Sequence, residues 1–425
     1  MLIRLQKKTT HPDAPICAAV IRPAPSIARV PRWLRRSAAN LAVLASVTIF
    51  TACARNGRVQ PPAQAGRPST QPQAARTPRY EDVGRPVDGE HYSDPQFSRD
   101  SSMFIARACS ESHLGVRVWD ARTLKPLSKF PQDVCVEYGL TRDGKTAFTS
   151  DGTTIRLWDV ETSQLRWSVK VTDKQVEHTA MSLDGTHLVT VADDDEHVAA
   201  VWRTGENRPR LLLRHKFRLD AVQFDPTGRL VATTEGINVH IFSVETGAEV
   251  CPPLISDSYW GSDGAALFDS AGRRVLLRQY RGFTVVDTST WKLLFTVNVG
   301  GDFNPFLEIY SPNARWSGDM TKVVATESLP PYGPARIYDA VTGRLLHEIA
   351  AHSYSCWLGA DDSVALSDPV DEPFEVWDVK NDQLIQTLDA HELKTVSPDG
   401  TMVLFETKSG LGRMWRLRQF DGSRR

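Results

Sequence analysis

The stretch Leu140–Trp167, LTRDGKTAFTSDGTTIRLWDVETSQLRW, decides the fold. It opens on a tight polar turn, Thr141-Arg142-Asp143-Gly144, followed by a short run, Lys145–Ser150, and a second turn at Asp151-Gly152. The next run, Thr154–Asp159, alternates: Ile155 and Leu157 point one way, Arg156 and Trp158 the other. A third turn, Glu161-Thr162-Ser163, leads into one more apolar-rich run. Runs of about 5–6 residues separated by turn clusters are antiparallel strands, too short and too often interrupted for helices. One such sheet cannot hide both its faces, so it has to stack on copies of itself.

The copies are present. The polar turn recurs at Ser98-Arg99-Asp100, Ser182-Leu183-Asp184, Asp225-Pro226-Thr227-Gly228, Asp269-Ser270-Ala271-Gly272, Ser317-Gly318-Asp319, Gly359-Ala360-Asp361-Asp362 and Ser397-Pro398-Asp399-Gly400. Each is followed by an alternating strand ending at Trp119-Asp120, Trp158-Asp159, Trp202-Arg203, Phe242-Ser243, Val286-Asp287, Tyr338-Asp339, Trp377-Asp378 or Trp415-Arg416. The spacing of roughly 38–48 residues is that of four-stranded propeller blades. The terminal Trp-Asp and the turns Ser397–Gly400 and Val341–Gly343 resemble the WD40 repeat family, over residues from about 90 to 420. The resemblance implies an all-β fold, an eight-bladed β-propeller of four-stranded antiparallel blades. Eight turns pair with eight strand ends, which favours eight blades over seven. Only Arg416–Arg425 follow Trp415, so the outermost strand of the last blade is expected from the N-terminal side, near Tyr80–Val87.

Charge separates the chain into two objects. Of 50 Lys/Arg and 51 Asp/Glu, residues 1–80 hold 13 basic residues and one acidic residue, which leaves residues 81–425 at a net charge of about −13. A basic leader on an acidic body implies export, and an acidic body without a basic stripe argues against nucleic acid. In residues 1–53, Arg29, Arg32, Arg35 and Arg36 form a positive region before the apolar run Leu41–Phe50, which is too short to span a bilayer comfortably. The following Thr51-Ala52-Cys53 resembles a bacterial lipobox, with Phe50 where that pattern usually carries Leu; the resemblance implies lipidation of Cys53. Residues 1–28 lie upstream of an ordinary export signal, and Val30 is an alternative initiator. Residues 54–80, rich in Pro, Gln, Ala and Arg, are expected to be a disordered tether, and residues 81–425 the propeller. Ala54 in place of Asp favours the outer membrane of a bacterial envelope.

The WD40 family buries a His–Ser/Thr–Asp–Trp network. Blade 3 comes nearest, with His178, Thr190, an Asp among 193–195, and Trp202. His215, His352 and His391 hold the analogous place before their blades' inner strands and are expected to make structural hydrogen bonds. Phe242 and Val286 replace Trp, so blades 4 and 5 are expected to rest on apolar packing alone. Of the cysteines, Cys109 and Cys135 lie in neighbouring blades and are the candidate disulfide; no CxxC or Cys/His cluster at zinc spacing appears. The acidic run Asp193–Glu196 reads as a solvated hairpin tip, without the alternation of a calcium loop.

Function is sought on the face where the loops joining strands b to c, and d to the next a, open. The connection 300–316 carries Phe303, Phe306, Tyr310 and Trp316; the tip Ser328–Pro334 carries Tyr332; the connection 252–264 carries Tyr259 and Trp260. Aromatic loop residues on a rigid scaffold suit partner anchoring, against the plainer reading that they cap their own blades. No phosphate loop, HExxH or GxSxG is present, so no catalytic residue, metal or cofactor is assigned. The expectation is a lipid-anchored, extracytoplasmic, non-enzymatic scaffold for another envelope protein or peptide. The alternative is a propeller enzyme, a quinone-dependent dehydrogenase or lactonase-like hydrolase: Asp159–Trp167 resembles the blade-docking pattern of the former, in this one unit only.

Overall fold

The structure is a computed structural model describing residues 79–84, 91–110, 113–131, 137–256, 266–279, 281–299, 313–326, 333–351, 353, 355–359, 362–369, 373–388, 392–406 and 412–418. The chain divides into units Met1–Ala75 and Arg76–Arg425, and the described residues all fall in the second.

Thirty-two described strands, from β1 (Arg79–Gly84) to β32 (Gly412–Arg418), form eight four-stranded antiparallel sheets. Seven are consecutive meanders, blades 1 to 7, running from His91 to Leu388. Blade 8 is composite: β30 (Glu392–Val396), β31 (Met402–Glu406) and β32 come from the end of the chain, and β1 pairs along the outside of β32, Tyr80 opposite Leu417. The N-terminal strand expected near Tyr80 is therefore in place.

The turns explain why the repeats fold alike. Ser98, Thr141, Ser182, Ser317 and Ser397 each donate a hydroxyl to the Asp two residues on, at 2.6–2.9 Å. Each also accepts the backbone N–H five residues on, at 2.8–3.0 Å. The local side chain thus closes the a–b turn before any tertiary contact forms. Three residues into every one of the eight turns the backbone is left-handed: glycine at 144, 185, 228, 272 and 400, but Ser101, Met320 and Asp362 elsewhere, with φ from 57° to 72°. At the other end of the blade, the Asp of Trp-Asp caps the c–d turn. Asp120 and Asp159 accept the N–H and hydroxyl of Thr123 and Thr162, and Asp287, Asp339 and Asp378 do the equivalent.

The core is a ring of cushions between blades rather than one central mass. In the founding unit, Trp158 packs with Val116, Val118 and Phe130 of blade 1, and Ile155 with Leu188 and Trp202 of blade 3. Strict alternation on a strand sends its two faces to two different neighbours. The same division recurs between every adjacent pair, and Phe104, Trp119, Leu404 and Met414 seal blade 1 against blade 8. The c-strand tryptophans accordingly pack: Trp119 stacks on Phe104 at 5.0 Å between ring centroids and Trp158 on Phe130 at 5.3 Å.

Candidate functional site

The partner-binding candidates Tyr259, Trp260, Phe303, Phe306, Tyr310 and Tyr332, the lipidation candidate Cys53, the histidines His352 and His391, and Cys135 all lie outside the described residues. The backbone of Cys109 pairs with His91, but its side chain is also outside them, so the Cys109–Cys135 pairing has no description here. Cys251 and Cys356 are buried free thiols, and burial pushes them up to about 11 and about 12 respectively. Trp316 does not belong with the loop aromatics. It sits on the innermost strand of blade 6, donates its indole N–H to the Leu267 carbonyl at 2.8 Å, and lies under Arg274 at 5.1 Å.

Part of the nominated face within the described residues is the end of blade 4: strands β14 (Ala221–Phe224), β15 (Leu230–Glu235), β16 (Asn238–Ser243) and β17 (Leu254–Ile255). The connection from blade 3 folds over this end. The Phe217 N–H donates to Glu235 Oε1 at 2.9 Å, and the Gly236 N–H to Asp220 Oδ2 at 2.8 Å. The Ser256 N–H reaches the Ile237 carbonyl at 2.8 Å. These bonds gather Phe217, Ile237 and Ile255 at one end, where they are 57%, 50% and 50% exposed. In the sequence, Ile255 is followed closely by segment 257–265, which holds Tyr259 and Trp260 and lies outside the described residues. The surrounding groups are charged: Arg218 pairs with Glu177 at 3.0 Å and with Glu196 at 3.3 Å. The acidic hairpin tip is thus spoken for, with Asp194 accepting the Thr172 hydroxyl at 3.0 Å.

Beneath that apolar rim lies a cluster that corrects the reading of blade 4 as apolar packing alone. His215 and Glu235 are buried, their side chains 1% and 6% exposed, and His240 is 17% exposed. Glu235 Oε2 stands 3.3 Å from His215 Nδ1 and 3.5 Å from His240 Nε2. His240 Nδ1 lies 2.8 Å from Glu249, and His215 Nε2 lies 3.3 Å from the Thr233 hydroxyl. Burial, and after it the neighbouring His240, push the His215 imidazole below its ordinary value against the pull of Glu235. One donor atom from each of His215, Glu235 and His240 falls within 4.8 Å of the others, a set able to hold a metal ion.

The family network is accordingly distributed differently from the expected pattern. Among the described residues of blades 2 and 3 it consists of Trp158 donating to Thr149 at 2.8 Å and Trp202 donating to Thr190 at 3.0 Å. His178 stays out of it, because it pairs opposite Val191 while Thr179 faces Thr190. In blade 4, Phe242 has no indole N–H to give, and the corresponding Thr233 turns to His215 instead. The sequence signal that finds this site is a register: His215 stands ten residues before the Asp225 turn, and Glu235 stands ten after it.

On the other face the a–b turns converge on the ring axis. Arg142 reaches across to the Pro226 carbonyl at 2.8 Å, and its N–H meets the Leu183 carbonyl at 2.7 Å. An axial cavity of about 490 Å³ lies beneath, lined by inner-strand residues including Met181, Gln223, Phe268, Trp316 and Trp357. Arg99 sits in its wall, its guanidinium held below its ordinary value by burial and then by Arg142.

The fold defines the class: an eight-bladed β-propeller closed by its own N-terminal strand. Among solved structures the chain is similar to the crystal structure of the Myceliophteria thermophila Cps50 (Swd1) β-propeller domain, at 12% identity and a TM-score of 0.46, over 67% of this chain and 96% of that one. No protein-family model and no curated protein matches the chain.

Proposed function

We propose that this protein is a binding scaffold that presents the b–c and d–a face of blade 4 and its neighbours to a protein or peptide partner. The observation that carries this reading is the exposure of Phe217, Ile237 and Ile255 at one end of blade 4, on connections tied down by hydrogen bonds and with charged pairs close by. Apolar anchors ringed by charge, held on a scaffold that need not reorganise, bind partners at low entropic cost. The loop aromatics Tyr259, Trp260, Phe303, Phe306, Tyr310 and Tyr332 extend the same surface in this reading. The partner belongs to a bacterial envelope, the protein is tethered there by a lipid on Cys53, with the outer membrane favoured, and it carries out no chemistry of its own. The export-like leader and the acidic body support that location.

The test is crosslinking from membranes, comparing wild type with a Phe217→Ser/Ile237→Ser variant and with Trp260→Ala/Phe306→Ala/Tyr332→Ala. Loss of the same crosslinked partner from both, with the sheet signature retained in circular dichroism, is expected. An unchanged crosslink pattern overturns the surface. Failure of Cys53→Ser to abolish labelling by a fatty-acid analogue overturns the tether.

A further inference from the structure

We propose that His215, Glu235 and His240 form a binding site for a divalent transition-metal ion of the zinc class. Geometry is the first argument. A tetrahedral zinc site with bonds of about 2.0–2.1 Å has ligand-to-ligand edges of about 3.3–3.4 Å. The two edges at Glu235 Oε2 measure 3.3 and 3.5 Å. Those separations are long for N–H···O hydrogen bonds, which centre at about 2.9–3.0 Å.

Proton placement is the second argument. Glu249 is a carboxylate and only accepts, so the 2.8 Å contact puts a hydrogen on His240 Nδ1. In the neutral imidazole, the lone pair of His240 Nε2 then faces Glu235 Oε2, itself an acceptor. The other oxygen, Oε1, is already fixed by the Phe217 N–H. A cation between Nε2 and Oε2 turns this opposition of lone pairs into coordination and compensates a carboxylate buried to 6% exposure.

The supporting groups are the third. Metal-bound histidines hand their remaining N–H to a carboxylate or another oxygen, which fixes the ring. Glu249 does this for His240, and Thr233 stands ready to do it for His215. Thr233 is free to serve because Phe242 replaces the Trp that occupies the equivalent Thr in blades 2 and 3. Two imidazole nitrogens and one oxygen suit zinc, copper or nickel and lack the oxygen cage that calcium requires. The ion would tie the blade 3–4 connection to both hairpin strands of blade 4.

The test uses the full-length chain without an affinity histidine tag, stripped with chelator and titrated with Zn²⁺ and with Co²⁺. One equivalent bound per chain, with visible Co²⁺ absorption of a low-coordinate site, is expected. Glu235→Gln and His240→Gln abolish it, and Glu249→Gln weakens it about 10- to 100-fold. The exposed His347→Gln leaves it at one equivalent. Absence of binding by the folded wild type, or one equivalent persisting in Glu235→Gln/His240→Gln, overturns the proposal. Should either first-sphere variant unfold, the partly exposed Glu249→Gln decides: unchanged affinity there overturns it as well.

Discussion

Gln386, on the outer strand of blade 7, grips the main chain of Tyr80 with both arms of its amide: Oε1 accepts the Tyr80 N–H at 3.0 Å, and Nε2 donates to the Tyr80 carbonyl at 2.9 Å. The Tyr80 hydroxyl reaches on to the Gly400 carbonyl at 2.9 Å, inside blade 8. One residue of the N-terminal strand is therefore fastened to the last two blades at once.

Removing that grip should loosen the ring. Gln386→Ala loses two part-buried hydrogen bonds and is expected to cost about 1–3 kcal/mol. Tyr80→Ala, which also empties the cushion shared with Phe374, Phe405 and Leu417, is expected to cost about 3–5 kcal/mol. Denaturant melts measure both. Deleting the strand should expose the edge of β32 and give concentration-dependent association on gel filtration; a monomer of unchanged midpoint would contradict the latch.

The left-handed turn positions give a paired prediction. Met320, at φ 61°, carries a side chain where five of the eight turns use glycine. A non-glycine residue there costs about 1–2 kcal/mol, against about 0.5–1 kcal/mol for the extra chain entropy of glycine. Met320→Gly should therefore stabilise by about 0.5–1 kcal/mol. Gly144→Ala should do the reverse by about 1–2 kcal/mol, since its Cβ would also meet Met103 Sδ at 2.7 Å. Thermal midpoints moving the same way in both variants would sink this account of the turns.

Acid should open the molecule through its turns. The Asp159 carboxyl, fixed by the Thr162 N–H and then by Arg166, is held at about 2. Partial burial pushes Asp151 up, but the Thr153 and Thr154 N–H groups and Arg156 outweigh it and hold it at about 2 as well. Asp100, Asp120, Asp143, Asp184, Asp287, Asp319 and Asp339 are also lowered. A folded value below the unfolded one contributes stability that is complete above about pH 4 and is lost as pH falls toward 2. Urea midpoints should be flat through that upper range and drop steeply below it. A midpoint unchanged between pH 4 and 2 would refute the assignment.

Native thiol chemistry should be silent at two positions. Cys251 and Cys356, raised to about 11 and about 12 by burial, should resist alkylation at pH 8 in the folded protein and react at once in denaturant. Mass spectrometry of the modified peptides reads this directly.

The fold was legible because each repeat announces itself locally. A Ser-x-Asp turn such as Ser182–Asp184 closes on its own side chains, and a Trp-Asp end such as Trp158-Asp159 marks both a packing residue and a turn cap. Such chemistry survives in sequence without knowledge of neighbours. The blade 4 cluster was hidden for the opposite reason. His215 belongs to a connection, Glu235 to a strand end and His240 to the facing strand, and only the pairing of Glu235 with Asn238 brings the last two together. Reading Phe242 as a mere loss of Trp missed that the change releases Thr233. Trp316 was misplaced because a strand boundary, not residue type, decides whether an aromatic faces the axis or the loops.

Strand β1 comes first among the described strands of the propeller, yet its sheet partner, β32, comes last among them. At about 5–20 residues per second, the intervening chain takes on the order of tens of seconds to appear. Until β32 is in place, Arg79–Gly84 lacks its partner strand and the last blade its outer edge. A chaperone that occupied either end during synthesis would govern how much of the product ever becomes a ring.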